Sequence, residues 1–315
     1  MKKLSFVIPC YRSEQTIEKV TEEIGRVVGE RPEYDYEIIC VNDASPDGVW
    51  GVLKKLASAN SRIKLVDFAQ NMGKHAAVLA GFSYVTGDYV VNLDDDYQSP
   101  VNELWKLIDA LEKDECDIAT AKYTIKKESI FKKLGSNVNL LMSEIMLEKR
   151  KGLRFENFVA AKRFVCDEMI KYRNPYPYLE GLYLRVSKRV KEIPMEERDR
   201  ADSNTSGFTF GKSFSLFVNG FLSFSVKPLR VATIIGFLFA AFGLAFGIFV
   251  IVRKIVNPAV KIGYSSIMAM LSLSNGLIMI LLGMIGEYVG RIFICINNSP
   301  QYVVRETMNI EVSEK

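Results

Sequence analysis

Three consecutive carboxylates, Asp94, Asp95 and Asp96, follow directly on the apolar run Tyr89-Val90-Val91-Asn92-Leu93. Like charges this close repel one another, so the triplet is either a solvated acidic loop or a site for a cation. Alternate side chains of an extended segment share a face, which puts Asp94 and Asp96 on one side, with Gln98 continuing it. These oxygens are hard donors. They suit Mg²⁺ or Mn²⁺, which leave further positions for water and phosphate oxygens. A metal–diphosphate complex is the natural ligand of such a pair. The matching chemistry is departure of a nucleoside diphosphate, whose developing negative charge the cation stabilises. A D-x-D spacing alone is a weak signal; its place at the end of a fourth strand gives it weight.

The elements that must hold this triplet are legible around it. Residues 4–9 read as a short apolar strand and residues 14–28 as a helix, with Ile17, Val20, Ile24 and Val27 on one face. Residues 36–41 form a second apolar run that ends in Asn42-Asp43. Residues 46–59 read as a helix, 63–68 as a strand, 74–86 as a helix and 89–93 as a fourth strand. This β-α-β-α alternation predicts an α/β fold with a doubly wound, mainly parallel sheet. Tyr11, Asp43 and the aspartate triplet all fall behind carboxyl ends of strands, the edge at which open α/β sheets bind ligands.

Composition narrows the chemistry further. His75 is the only histidine in 315 residues, so His-dependent triads and multi-His metal sites have little material. Cys10, Cys40, Cys116, Cys166 and Cys295 form no C-x-x-C pair and are expected as reduced, buried thiols. No G-x-G-x-x-G follows the first strand and no G-x-x-x-x-G-K-[ST] occurs, which argues against dinucleotide and P-loop sites. The formal net charge of +4, with no basic region of a DNA-binding type, gives no reason to expect a nucleic-acid partner.

Beyond Arg230 the chain changes character. Residues 231–252 and 262–286 contain no charged side chain. Each run is long enough to cross the roughly 30 Å of a bilayer's hydrocarbon as a helix. Gly243 and Gly247 make a small-xxx-small step of the kind that lets membrane helices pack closely. The linker, residues 253–261, is short, so the two runs predict a transmembrane hairpin with both ends on one side. Its basic residues Arg253, Lys254 and Lys261 are balanced by Lys227, Arg230 and Arg291 outside it, and charge bias does not orient it. Residues 213–230, with Phe214, Phe217, Phe221 and Phe224, read as an interfacial amphipathic helix, although a soluble core helix would share the pattern. Residues 134–147, between Lys132 and Lys133 on one side and Lys149 and Arg150 on the other, suit a helix docked on anionic headgroups or an ordinary solvated one. No signal-peptide pattern opens the chain, because the apolar run after Met1-Lys2-Lys3 stops at Pro9, and the first domain is expected to stay on the side where it is made. The domain plan is therefore residues 1–212, an interfacial segment 213–230, spans 231–252 and 262–286, and a tail 287–315 with a strand-like stretch at 301–306.

Taken in order, these segments resemble a family 2 glycosyltransferase of the polyprenyl-phosphate type. Val7-Ile8-Pro9-Cys10-Tyr11 resembles the opening V-I-P-x-Y, and Asn42-Asp43-Ala44-Ser45-Pro46-Asp47 resembles D-D-x-S-x-D. Asn71-Met72-Gly73-Lys74-His75-Ala76-Ala77 resembles N-x-G-x-x-A-A, and Asp94-Asp95-Asp96-Tyr97-Gln98-Ser99-Pro100 resembles the metal motif D-x-D-L-Q-x-P. Gly286-Glu287-Tyr288-Val289-Gly290-Arg291 resembles the end of the second span. The resemblance implies a GT-A-type sheet followed by interfacial helices and a two-helix hairpin. It implies an inner-membrane location with the catalytic domain and both termini in the cytosol, and a homo-oligomer, a tetramer as in relatives. It assigns Pro9, Tyr11, Asp43, Lys74 and Asp94 to the nucleotide, with uridine as the base, and Asp94, Asp96 and Gln98 to Mg²⁺ or Mn²⁺. Arg198 or Arg200, with Ser206, would meet the phosphates of donor or acceptor, aided by Lys132 and Lys133. Asn157 falls where relatives often carry an aspartate in the catalytic set.

The reaction implied is inverting transfer of a sugar from a nucleotide-sugar to a polyprenyl phosphate. A phosphate monoester is already anionic at neutral pH, so an amide at Asn157 is tolerable and the protein is left with positioning and charge stabilisation. Transfer to another membrane lipid such as diacylglycerol is the nearest alternative, and a non-catalytic membrane scaffold is the alternative outside enzymes.

Overall fold

The structure, a computed structural model, describes residues 1–123, 144, 147, 149–175, 177–196, 198, 227–257, 263–297 and 300–310. It divides into two units, one formed by residues 1–220 with 299–315 and the other by residues 221–298.

In the first unit all four strands and the three helices read from the sequence are present. They are β1 (Lys2–Cys10), α1 (Ile17–Val28), β2 (Tyr34–Asn42), α2 (Val49–Ala59), β3 (Ile63–Phe68), α3 (Lys74–Phe82) and β4 (Tyr89–Asn92). The helices are shorter than their apolar periodicity predicts, and each boundary has a local cause. Before α1, the Thr16 and Ile17 amides both close onto the Ser13 carbonyl at 3.1 Å, which makes a turn of residues 13–16. Before α2, Asp47 accepts the Ser45 hydroxyl at 2.5 Å and the Val49 amide at 3.4 Å, so the helix starts past it. After α3, the Thr86 amide and hydroxyl both turn to the buried Glu37 carboxylate, at 2.5 and 2.8 Å, and so leave the helix axis.

The chain continues through α4 (Leu104–Glu112), β5 (Ile118–Tyr123), β6 (Val159–Lys162), α5 (Arg163–Met169), α6 (Leu179–Val186) and β7 (Val190–Met195), and closes with β8 (Val304–Met308). Among the described residues these strands form one sheet in the order β7-β5-β6-β4-β1-β2-β3-β8. The stretch β3-β2-β1-β4 is parallel, as the alternation predicts. The other half is mixed: β6 runs antiparallel to both β4 and β5, and β5 pairs parallel with β7. The chain winds outward from β1 through β2 to β3 and then returns to the opposite flank of β1 as β4, so a topological switch point lies between β1 and β4. Ligands of such sheets bind beyond the carboxyl ends of the strands at that crevice.

Strand alternation divides the core into two layers. Leu4, Phe6 and Ile8 pack with Ile17, Ile24, Leu53 and Leu107 of α1, α2 and α4 in one buried cluster. Full burial of side chains this size stabilises by about 2 kcal/mol each. Val7 points the other way and meets α3 at Gly81, where a Cβ would lie 2.4 Å from Val7 Cγ1, so only glycine lets this helix approach the strand. Cys10, Cys40, Cys116 and Cys166 are buried free thiols, as their apolar settings predict, whereas Cys295, also free, is only partly buried.

The second unit holds α7 (Lys227–Val256) and α8 (Tyr264–Ile296). The segments long and apolar enough to cross a membrane are Leu229–Arg253 and Leu273–Ile296. α7 thus takes in residues 227–230, which the sequence reading gives to the interfacial segment, and α8 runs on past Gly286, where that reading ends the second span. A helix does not stop where its uncharged run stops, because Glu287 and Arg291 pair with each other across one turn at 2.9 Å. The helices pack antiparallel: Gly236 lies against Leu281, and Gly243 against Met270. At Gly247, the second member of the small-xxx-small step, an added Cβ would meet nothing within 4 Å among the described residues. Large side chains such as Phe237 and Leu238 are 74% and 62% exposed, apolar surface that water does not favour. Residues 213–226 and 134–143, which carry the expected interfacial helices, lie outside the described residues.

Candidate active site

At the switch point, four strand ends deliver their polar residues to one cleft of about 670 Å³. Pro9 and Tyr11 come from the end of β1, Asp43 from β2, Lys74 from the start of α3, and Asp94, Asp96 and Gln98 from the loop after β4. Asn157, just before β6, lines the same cleft. These eight side chains are the ones the sequence assigns to nucleotide, metal and chemistry.

All three aspartates line the cleft. Asp95 is also tied into the loops behind it: its carboxylate accepts the Tyr11 amide at 2.9 Å, and its carbonyl accepts the Thr16 hydroxyl at 2.6 Å. Burial pushes the Asp95 carboxyl up to about 7, with the Tyr11 amide opposing the rise and its two charged neighbours adding to it. The middle aspartate is thus a brace between the β1 and β4 loops. Asp96 Oδ1 accepts the Gln98 amide at 3.1 Å, which curls the loop so that both residues face inward. Lys74 Nζ lies 2.5 Å from Asp94 Oδ1.

Asp43 is buried, and its two oxygens accept the amides of Met72 and Gly73 at 2.7 and 2.9 Å. Its carbonyl accepts Asn71 Nδ2 at 3.0 Å. Gly73 has φ +86°, a left-handed conformation that a side chain would strain, and it lets two successive amides point at one carboxylate. Burial raises the Asp43 pKa, while the two amides pull the other way. Arg12, Ala44 and Tyr97 also sit at positive φ, one in each loop at the cleft. Such strained positions gather where a site dictates backbone shape.

Five residues of the cleft lining, Cys10, Asn71, Gly73, His75 and Asp95, carry no role in the sequence reading. His75 stands against Tyr178 with ring centroids 5.6 Å apart, and its Nδ1 is buried without a hydrogen-bond partner among the described residues. Burial, aided by Lys74, lowers its pKa to about 4, so the ring is neutral near pH 7. Asn71, Gly73 and His75 all stand in the segment that resembles N-x-G-x-x-A-A, which was the available signal. Of the two arginines, Arg198 does not line the cleft. Its guanidinium grips Glu23 through two 2.7 Å contacts, touches Asn102 and covers the Tyr97 ring at 5.0 Å. Its amide donates to the Gln98 carbonyl at 3.3 Å, so it supports the metal-motif loop from behind. This corrects the expectation that Arg198 meets a phosphate: the buried Glu23 carboxylate, far away in sequence, claims the charge. Arg200, Ser206, Lys132 and Lys133 lie outside the described residues.

The donor set fits a hard divalent cation. Two carboxylates and an amide oxygen line one cleft, and among the described residues no cluster of three or more His, Cys, Asp or Glu side chains forms a closed cage. A cation held by one or two carboxylates leaves its other positions to diphosphate oxygens and water.

Known proteins resemble this chain in sequence and in fold. The chain is 27% identical over 314 residues to the undecaprenyl-phosphate 4-deoxy-4-formamido-L-arabinose transferase of Klebsiella pneumoniae strain 342, covering 98% of this chain and 94% of that protein. It is 27% identical over 311 residues to the SfII prophage-derived bactoprenol glucosyl transferase of Shigella flexneri, covering 97% and 98%. Its fold matches glucosyl-3-phosphoglycerate synthase from Mycobacterium tuberculosis, solved with Mn²⁺ and UDP-glucose, with a TM-score of 0.53 at 16% identity over 71% of this chain and 79% of that one. Residues 227–292 match the GtrB C-terminal hairpin. Residues 5–166, which carry every strand end that builds the cleft, match glycosyl transferase family 2, and the chain belongs to that family.

Proposed function

We propose that this glycosyltransferase transfers a sugar from a nucleotide-sugar, a UDP-sugar in the first instance, to undecaprenyl phosphate at the cytosolic face of the inner membrane, with inversion at the anomeric carbon. The observation that carries the reading is the convergence of Asp43, Lys74, Asp94, Asp96 and Gln98 in one cleft, in a chain that continues into two apolar helices. The full-length likeness to proteins named as undecaprenyl-phosphate and bactoprenol sugar transferases supports the acceptor. A neighbouring fold solved with Mn²⁺ and UDP-glucose supports the donor and a divalent cofactor, Mg²⁺ or Mn²⁺.

In this reading Asp94, Asp96 and Gln98 would hold the cation, and when bound it neutralises charge growing on the departing diphosphate. Pro9, Tyr11 and Asp43 hold the nucleoside end, with Asp43 acting partly through the 72–73 amides that it orders. Lys74 adds a positive charge beside Asp94 for the diphosphate. Neutral His75 can exchange a hydrogen bond with a donor hydroxyl through its free Nδ1. The acceptor phosphate attacks the anomeric carbon as an anion, so no general base is required and Asn157 serves as a polar wall. Closing the two reactants into one cleft supplies the orientation.

The domain plan follows: residues 1–212 as the catalytic domain, residues 213–230 at the interface, and the spans as a hairpin. β7 and β8, one before and one after the hairpin in sequence, belong to the same sheet. A chain that crosses twice returns to the side it left, which supports both termini in the cytosol. Arg200, Ser206, Lys132 and Lys133 remain candidates for the acceptor phosphate, and a homo-tetramer is the assembly in this reading. The test is transfer of labelled sugar from a UDP-sugar panel into an organic-extractable product on addition of undecaprenyl phosphate. Label that enters the lipid only with divalent cation supports the reading, and label that enters diacylglycerol instead redirects it.

A further inference from the structure

The strand that follows the hairpin carries a cation to the rear of the donor cleft. β8 pairs antiparallel with β3, and Tyr302 stacks on Phe68 with centroids 5.3 Å apart. Within β8, Arg305 Nη1 lies 3.3 Å from Asp67 Oδ2. Asp67 is 1% exposed, and that oxygen has no hydrogen-bond partner among the described residues, so the guanidinium is the charge that faces it. A buried carboxylate without a countercharge is strongly unfavourable. The other oxygen of Asp67 accepts Asn42 Nδ2 at 2.7 Å, and Asn42 Oδ1 accepts the Ser45 amide at 3.2 Å. Asn42 immediately precedes Asp43.

The same guanidinium reaches the cleft by a second route. Arg305 Nη2 donates to the Ala69 carbonyl at 3.1 Å, and the Ala69 amide donates to the Val303 carbonyl at 2.9 Å. Ala69 opens the loop whose Asn71, Met72 and Gly73 bind Asp43, and which leads into Lys74. One side chain from the end of the chain therefore holds both partners of the Asp43 contact: the turn through Asn42, and the loop through Ala69. The far end of the segment is fastened elsewhere, by Asn309 Nδ2 donating to the Ala57 and Ile63 carbonyls at 2.8 and 2.9 Å.

We infer that Arg305 is a positioning residue for the donor site, and that the segment after the second apolar helix is part of the nucleotide-binding apparatus. The inference rests on reading the cleft as the donor site. Interactions one layer behind a site typically change its affinity or activity by about 10-fold or more.

The experiment compares Arg305→Gln, Arg305→Lys and Asn309→Ala in the full chain in detergent, by amide hydrogen exchange and by titration with UDP and Mn²⁺. Arg305→Gln is expected to speed exchange across residues 69–74 and to weaken UDP–Mn²⁺ binding roughly tenfold. Arg305→Lys, which keeps a charge opposite Asp67, recovers part of both. Asn309→Ala loosens the other end of the strand, lowers the melting temperature, and leaves exchange at 69–74 and nucleotide affinity unchanged. Wild-type exchange at 69–74 in Arg305→Gln overturns the inference, as does an equal change in Asn309→Ala, which would mean general loosening. If the wild-type protein binds no UDP–Mn²⁺, the donor-site reading falls, and the exchange comparison by itself decides whether Arg305 holds the loop.

Discussion

The Lys74 ammonium lies 2.5 Å from Asp94 Oδ1, so the first residue of α3 and the first aspartate after β4 meet across the switch point of the sheet. A cation at the same carboxylate and the ammonium then share one anion. An incoming diphosphate gives both a second partner. Replacing Lys74 by Gln removes a charge-assisted contact and is expected to raise the donor KM about tenfold with a smaller change in kcat. Steady-state kinetics at saturating lipid phosphate check this, with thermal melting to show that the fold is intact.

Asp94→Asn and Asp96→Asn keep shape and remove charge. Each is expected to lower kcat/KM by roughly 10²- to 10³-fold, the scale on which electrostatic stabilisation of a developing charge acts. Asp96→Asn should not lower the melting temperature, because it relieves repulsion within the triplet; Asp94→Asn relieves the same repulsion but loses the partly exposed Lys74 pair, so its melting temperature should change little. Asp95→Asn behaves differently: its carboxylate holds the Tyr11 amide, so that variant loses stability along with activity. Melting curves and rates measured on all three variants separate the two ligands from the brace.

The catalytic edge was legible because it is built from local signals. Apolar runs gave β1 to β4, and period-two alternation put Asp94 and Asp96 on one face. The features that escaped are non-local. Arg198 looks like a phosphate ligand in sequence, but its charge is taken by Glu23 on α1, and only packing reveals that pair. β6 is Val-Ala-Ala-Lys, too short and too small for a strand signature. The tail showed strand character near residue 304, but nothing local says that it pairs with β3. His75 stood in the 71–77 segment without a role, because its contact with Tyr178, a hundred residues on, is non-local.

Arg198→Ala follows from that correction. It removes the bidentate partner of Glu23, which is 7% exposed, and leaves that carboxylate only the longer contact to Arg26 at 3.5 Å. The melting temperature should fall clearly while the KM for lipid phosphate stays near wild type. A raised lipid KM at unchanged stability would restore Arg198 as a phosphate ligand.

Three buried groups with large shifts, Glu37, His75 and Asp95, bear on how stability responds to acid. Burial pushes Glu37 up, but Lys64, Ser5, Lys3 and the Thr86 amide outweigh it and hold the carboxyl at about 2, against 4.5 in the unfolded chain. Its contribution is present above pH 4.5 and is lost as pH falls toward 2. His75 titrates at about 4 when folded and 6.5 when unfolded, so the unfolded chain binds more protons in that window and stability drops as pH falls through it. Asp95, raised to about 7 when folded, holds its proton more tightly than in the unfolded chain and so opposes His75 in the same window. With His75→Gln, stability should therefore rise as pH falls from 7 toward 4, and Glu37→Gln should remove the decline below pH 4.5.

The central claim is tested most directly by nucleoside diphosphate release from the detergent-solubilised protein, with and without undecaprenyl phosphate and with and without Mg²⁺ or Mn²⁺, across a panel of nucleotide-sugars. The account predicts release that requires both lipid phosphate and cation, for one donor of the panel, and that is lost in Asp96→Asn. Release at the same rate without lipid phosphate, or undiminished by chelator, would contradict it.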